Sequence, residues 1–177
     1  MNRLRLLWGI VAVCGLLGGL LLFRDRPPAV DPVQHANKVL STIKLPGLPE
    51  NVTDVQCWAG GTFAKYVNIK FAASEDQATD FLRKTGAPCY LEFQIDGIQA
   101  RILATHPLTD ASEKIDDRHL HFLGRKTGMF SKPWFKSVYD IRHGWYYHRF
   151  TQEEAPIHLS VFYDLDSRQL YVYWSYS

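Results

Sequence analysis

The sequence lacks several features that define whole classes of protein. Three cysteines in 177 residues exclude a small scaffold held together by many disulfides. The chain has no internal repeat and no low-complexity segment, and a hydrophobic content of 46% excludes a disordered tail. No motif carries a resemblance to a known family. The length is that of one ordinary domain.

The chain also lacks an excess of charge of one sign. Its 20 Lys and Arg and 18 Asp and Glu give a net charge of +2. Four arginines flank the apolar N-terminal segment, and from residue 31 onward acids outnumber bases by one. Because no basic surplus is left for phosphates, we expect no nucleic-acid partner.

Catalytic motifs are missing as well. The sequence contains no G-x-S-x-G, no H-E-x-x-H, no Walker A pattern and no Rossmann glycine pattern. The adjacent acids at 116–117 and 153–154 do not define a carboxylate pair. We therefore predict no catalytic residue and no cofactor, and expect a protein that is not an enzyme.

An uninterrupted apolar segment is present at residues 6–23, with no charged residue and no proline. As a helix it would be about 27 Å long, close to the thickness of the bilayer core. A cleaved signal peptide is the alternative, but the segment ends in Phe23-Arg24-Asp25-Arg26 rather than at a small-residue cleavage site. Lipid attachment at Cys14 is a second alternative, disfavoured by Val13 and by the apolar residues that follow. The segment predicts an uncleaved transmembrane signal anchor.

Positive charge sets the expected orientation and the domain organisation. Arg3, Arg5 and the amino terminus favour a cytoplasmic N-terminus. We expect residues 1–23 to form the tail and transmembrane helix, 24–32 a proline-rich stalk, and 33–177 an extracytoplasmic (periplasmic, where the host has a periplasm) α+β domain. Gly15 and Gly19 form a G-x-x-x-G pair, which predicts a face for packing against another transmembrane helix.

The remaining chain predicts an antiparallel, hairpin-rich sheet with one or two helices packed on it. Helical spacing covers 33–43, and Ser74 with Gln77 forms a capping box at the start of a helix over 74–85. Strands are expected at 52–58, 63–71, 90–95, 98–103, 138–142, 145–150, 158–164 and 170–176. The region 105–134 gives no clear pattern.

Two of the expected hairpins depend on short turn signals. Asp96-Gly97 predicts a two-residue turn that pairs Ile95 with Ile98, and therefore Phe93 with Ala100 and Leu91 with Ile102. His143-Gly144 predicts a second turn, between 138–142 and 145–150.

Cysteine and histidine offer two weak candidate sites. Cys57 and Cys89 both fall on apolar strand faces, which predicts either a disulfide in an oxidising compartment or two unpaired core cysteines. His119 and His121 share one strand face, the spacing for two metal ligands, but no third ligand is indicated. His148 is expected to be a partly buried side chain with a hydrogen-bond partner.

Aromatic residues are dense after residue 132. Strand alternation places Trp145 and Tyr147 on a face with Asp140 and Arg142, which predicts exposure to solvent. Together with Tyr171 and Tyr173 they form a candidate surface for a ligand or a partner. The favoured interpretation is that these aromatics fill a β-rich core.

These observations favour a single-pass membrane-anchored protein that binds and does not catalyse, an accessory subunit of a membrane-associated assembly. The first alternative is a module that binds an envelope glycan or another ligand through Trp145, Tyr147, Tyr171 and Tyr173. The second is a hydrolase or metal-dependent enzyme that uses His119, His121 or His148.

Overall fold

A computed structural model of the chain describes residues 30–61, 65–96, 99–109, 133–136, 140–151 and 157–176. The chain divides into two units, Met1–Asp31 and Pro32–Ser177, and the second holds every helix and strand described below. None of the helices in these ranges has the length and apolar character needed to cross a membrane. The anchor segment 6–23, with Gly15 and Gly19, lies outside the described residues.

The first helix, α1, spans Pro32–Thr42 and starts with a proline, whose fixed φ suits the first helical position. Ala36 and Leu40 are fully buried one turn apart. The helix ends in a Schellman motif, in which Leu45 N–H donates to the Leu40 carbonyl over 2.9 Å and Lys44 N–H donates to the Ser41 carbonyl. Lys44 takes the left-handed position with φ 58°, where glycine is more usual.

The second helix, α2, spans Glu75–Lys84 and begins where the capping box predicts. Gln77 N–H donates to Ser74 Oγ over 3.2 Å, and Ser74 N–H donates to Gln77 Oε1 over 2.7 Å. The acids of the first turn and the bases of the last complement the helix dipole. Its apolar stripe, which includes Phe81 and Leu82, is buried against the sheet.

Seven antiparallel strands form one sheet in the described part of the chain, and the prediction of an antiparallel sheet is confirmed. Their bounds are β1 Thr53–Gly60, β2 Lys65–Ala72, β3 Cys89–Asp96, β4 Gln99–Pro107, β5 His143–Thr151, β6 Ile157–Asp164 and β7 Gln169–Tyr176. The spatial order is β1-β2-β7-β6-β5-β3-β4, so β1 and β4 are the two edges. The fold is α+β.

The two faces of the sheet bury different clusters. Both helices cover one face, and their core includes Ile69, Val161 and Val172 from the central strands. The other face packs Phe93 and Phe162 against Phe135 of the segment 133–136. That segment is also held by charge, because Lys136 Nζ lies 2.8 Å from Oδ2 of the buried Asp164.

The β3–β4 hairpin has a different register from the predicted one. Ile95 pairs with Ala100 and Phe93 with Ile102, so the expected pairs Ile95–Ile98 and Phe93–Ala100 are wrong. The shift is by two positions before the bulge. A bulge at Leu103 then moves the partner of Leu91 to Thr105.

The expected hairpin at His143-Gly144 is also wrong. Both residues lie inside β5, and Asp140 to Arg142 is not strand. Gly144 pairs with Phe93 on one side and Asp164 on the other, so it is a central strand position. Glycine serves here for close backbone approach and not for a turn.

Candidate functional site

An open groove of about 310 Å³ lies between α1 and one end of the sheet. Its side chains come from the C-terminal half of α1, the end of β1, the start of β2 and the end of β7. We call this site the α1 groove, and its main lining residues are Val39, Thr42, Ile43, Ala59, Lys65, Val67 and Trp174. The volume is at the lower end of the range for small-molecule sites.

The sequence builds the groove through the position of the apolar stripe on α1. Ala36 and Leu40 point into the core, whereas Val39 and Ile43 lie at its margin and are only half buried. The facing wall is Val67, whose strand partners are Ala59 on β1 and Trp174 on β7. Because Ala59 is small and the two glycines that follow it carry no side chain, the wall stays open at the β1 edge.

An aromatic pair flanks the groove. The rings of Trp174 and Tyr176 are nearly parallel, at 6°, with centroids 6.2 Å apart. Trp174 is half buried in the lining, and Tyr176 is 41% exposed beyond it. An indole face beside aliphatic side chains suits a ligand with apolar character.

The charge at the groove has one sign. Lys65 is exposed and is the only charged side chain among the groove's described lining residues. Within the described part of the chain it makes no ion pair and no side-chain hydrogen bond. The site therefore combines apolar walls with one uncommitted cation.

A second polar cluster lies on β3, β4 and β5. Glu92 Oε2 is 2.8 Å from His106 Nε2, and Glu92 Oε1 is 2.9 Å from His143 Nε2. Hydrogen bonds to His106 and His143 hold the pKa of Glu92 below its usual value, against the opposing effect of burial. Tyr90 stacks on His106 with ring centroids 4.8 Å apart.

This cluster positions two imidazoles through one carboxylate. The carboxylate fixes one ring nitrogen of each histidine. Within the described ranges, no group of three His, Cys, Asp or Glu side chains is arranged to hold a metal ion. His119 and His121, the metal candidates from the sequence, lie outside the described residues.

His148 is half buried and hydrogen-bonded, as its strand position suggests. Its Nδ1 is 3.0 Å from Oγ of Ser160, its partner across β5 and β6. Ser160 is buried in the middle of a strand and also bonds to the Tyr146 hydroxyl. A nucleophilic serine must be reached by its substrate, so this pair supports a structural role and not hydrolysis.

The four aromatic candidates do not form one exposed surface. Trp145 and Tyr147 are 7% and 8% exposed in the helix-covered core, so their expected exposure to solvent is wrong. Trp145 lies between Tyr90 and Tyr163, with ring centroids 4.6 and 4.9 Å away. Tyr171 is 2% exposed on the opposite face, against Phe135, and Tyr173 is half buried beside it. The core-filling interpretation is the one that the structure confirms.

Cys57 and Cys89 are both free, so of the two alternatives the structure has the unpaired cysteines. Cys57 lies on the edge strand β1 and Cys89 on β3, with β2, β7, β6 and β5 between them. Five strand spacings place the two residues roughly 24 Å apart. A disulfide needs Cα atoms within about 7 Å of each other.

Sequence reasoning missed the residues of both described sites. Trp174 was a signal for the α1 groove, because it alternates with Tyr173 and falls on the face that α1 covers. Glu92 was the signal for the histidine cluster, as an acid between Leu91 and Phe93 in an apolar strand. Neither signal names its partners, since those come from distant parts of the chain.

Comparison with known proteins gives no relative from which a function could be transferred. No family model, no curated protein and no solved structure matches this chain.

Proposed function

We propose that this chain is a single-pass membrane-anchored extracytoplasmic protein that binds and does not catalyse. It serves as an accessory subunit of a membrane-associated assembly, and its α+β domain takes a ligand in the α1 groove. The α1 groove is the observation that carries this proposal, because it leaves Val39, Ile43 and Trp174 half exposed around a concave surface.

The anchoring part of the proposal rests on sequence. The apolar segment 6–23 matches the length of a bilayer-spanning helix, and the arginines before it favour a cytoplasmic N-terminus. Gly15 and Gly19 offer the face for joining a larger assembly. Cell membrane is therefore the proposed location, with the domain on the extracytoplasmic side.

A glycan- or ligand-binding module remains the second candidate, in a changed form. The α1 groove favours a ligand, whereas the burial of Trp145, Tyr147 and Tyr171 removes the surface on which a glycan would stack. We do not propose the enzyme alternative, since His148 bonds to the buried Ser160 and the other two candidates, His119 and His121, lie outside the described residues.

Native mass spectrometry of the full chain in mild detergent tests the binding part. Ala59 is exposed at the groove, so Ala59→Phe fills the groove from outside without disturbing the core. Thr105→Phe is the matched control, at an exposed position on the opposite edge strand. We expect wild type and the control to retain a bound species that Ala59→Phe loses. Wild type without a bound species, or an Ala59→Phe variant that retains it, would overturn the proposal.

The assembly part needs a separate measurement. We expect the wild-type chain to migrate with a larger complex in mild detergent, and the double variant Gly15→Leu, Gly19→Leu to be released from it. Gly9→Leu is the control within the same segment. A chain that stays in the complex with both glycines replaced would contradict this use of the helix.

A further inference from the structure

We propose that the α1 groove binds a single-chain anionic amphiphile, a free long-chain carboxylate. This inference rests on the proposed binding function and specifies its ligand. The ligand must complement two features of the groove, an apolar wall and a lysine without an ion-pair partner among the described residues.

The apolar wall indicates the tail. Val39 and Ile43 from α1 face Val67 and Trp174 from the sheet, and these four supply the aliphatic and indole surfaces. A methylene chain in this groove would exchange water contact for contact with those side chains, which favours binding. About 310 Å³ is room for one such chain and not for the two chains of a phospholipid.

The cation indicates the head group. Lys65 stands at the exposed margin of the groove, and no acidic side chain is among the groove's described lining residues. Lys38 and Lys44 are exposed on and just after α1, and the helix itself carries no acid. A carboxylate at the mouth would pair with Lys65, whereas an ammonium head group would be repelled.

A peptide segment from a protein partner is the competing occupant. Such a segment presents side chains at intervals and fixes its backbone through hydrogen bonds. Of the side-chain hydroxyls in the described lining, Thr42 Oγ already donates to the Lys38 carbonyl over 2.9 Å. A continuous aliphatic chain fits the lining better.

The experiment uses the full chain in phospholipid nanodiscs with photoreactive laurate, and with photoreactive dodecan-1-ol as the neutral match. We expect laurate to label peptides from α1 and β7, with Ala59→Phe reducing the labelling at least tenfold and Thr105→Phe leaving it unchanged. We expect Lys65→Gln to reduce labelling by laurate about fivefold, which corresponds to the loss of one exposed ion pair, and to leave labelling by dodecan-1-ol unchanged. Lys84→Gln, an exposed lysine outside the groove, is the matched charge control.

The following outcomes would overturn this inference. Labelling of the α+β domain outside the groove, or groove labelling that is insensitive to Ala59→Phe, rejects the site. Equal effects of Lys65→Gln and Lys84→Gln reject the carboxylate head group. If laurate does not label the groove while Ala59→Phe still removes the native bound species, the proposed ligand class is wrong and the binding function stands. If that species is a peptide, the groove is a protein-docking site. If Ala59→Phe removes nothing, the binding function fails as well.

Discussion

Gly144 on β5 lies directly against the main chain of Tyr163 on β6. A Cβ atom at Gly144 would be 2.3 Å from the Tyr163 carbonyl oxygen and 2.9 Å from Cγ2 of Ile141. The oxygen belongs to backbone in the centre of the sheet, where its hydrogen-bonded neighbours prevent it from moving away. The sheet at β5 and β6 therefore requires glycine for reasons of space.

We expect Gly144→Ala to destabilise the fold by about 3 kcal/mol, because the added methyl group forces the two strands apart. Thermal unfolding of the purified full chain, followed by circular dichroism, measures the change. Gly86→Ala is a useful comparison, since a Cβ there meets nothing within 4 Å and only the positive φ of 79° opposes it. A Gly144→Ala variant as stable as wild type would show that the two strands are not packed this closely.

The burial of Trp145 gives a second expectation. Because its ring is enclosed by Tyr90 and Tyr163, Trp145→Ala should cost about 3–5 kcal/mol of unfolding free energy. Tyr176→Ala, at an exposed ring, should cost less than about 1 kcal/mol. Denaturant titration of both variants makes the comparison. Equal and small losses of unfolding free energy in the two variants would show that Trp145 is exposed, as the strand pattern alone predicts.

Stability should depend on pH through Glu92. Its two histidine contacts lower its pKa from 4.5, so the folded state favours the ionised carboxylate more than the unfolded state does. That stabilisation is fully present above pH 4.5 and is lost as the pH falls through the folded-state pKa. We expect Glu92→Gln to lower stability by about 1 kcal/mol at pH 6. The difference from wild type should shrink below pH 4.5.

Unfolding free energies of both proteins between pH 3 and pH 7 provide the measurement. Asp80→Asn is the control, because Asp80 is an exposed partner of Lys84 and its pairing is weakened by solvent. A wild-type to Glu92→Gln difference that stays constant down to pH 3 would contradict the contacts of Glu92 with His106 and His143.

Cysteine chemistry supplies a fourth test. Burial raises the pKa of the Cys57 thiol to about 11, so very little thiolate is present near neutral pH. We expect iodoacetamide at pH 8 to modify Cys57 much more slowly in the folded chain than in denaturant. Peptide mass spectrometry without reductant should recover Cys57 and Cys89 as separate alkylated peptides. A peptide pair linked through the two cysteines would refute the strand order, which keeps them at distant positions in the sheet.

Sequence patterns predicted the elements whose determinants are local. Ser74 and Gln77 are three residues apart and form two reciprocal hydrogen bonds that cap α2. The start of that helix is therefore determined by four adjacent residues. The alternation in β7 likewise places Tyr171 and Tyr173 opposite Val172 and Trp174, as the structure has them.

The errors at Gly144 and Trp145 share one cause, which is that the deciding contacts are distant in sequence. The sequence pattern predicts a turn at Gly144, because it does not show that the Tyr163 main chain lies against this residue. Trp145 is predicted to be exposed because the expected hairpin places Arg142 on its strand face, whereas in the structure Arg142 lies outside β5 and Trp145 lies in the helix-covered core. The α1 groove could not be predicted for the same reason, since α1, β2 and β7 are distant in sequence and come together only in the folded structure.

Site-specific photocrosslinking in native membranes tests the central claim, that the α1 groove is a binding site, most directly. A photoreactive amino acid replaces Thr42 in the groove or, as the control, His35 at an exposed position on the same helix. The account predicts a discrete adduct at position 42 that is absent at position 35 and is abolished by Ala59→Phe. The same adduct at both positions, or none at position 42, would contradict it.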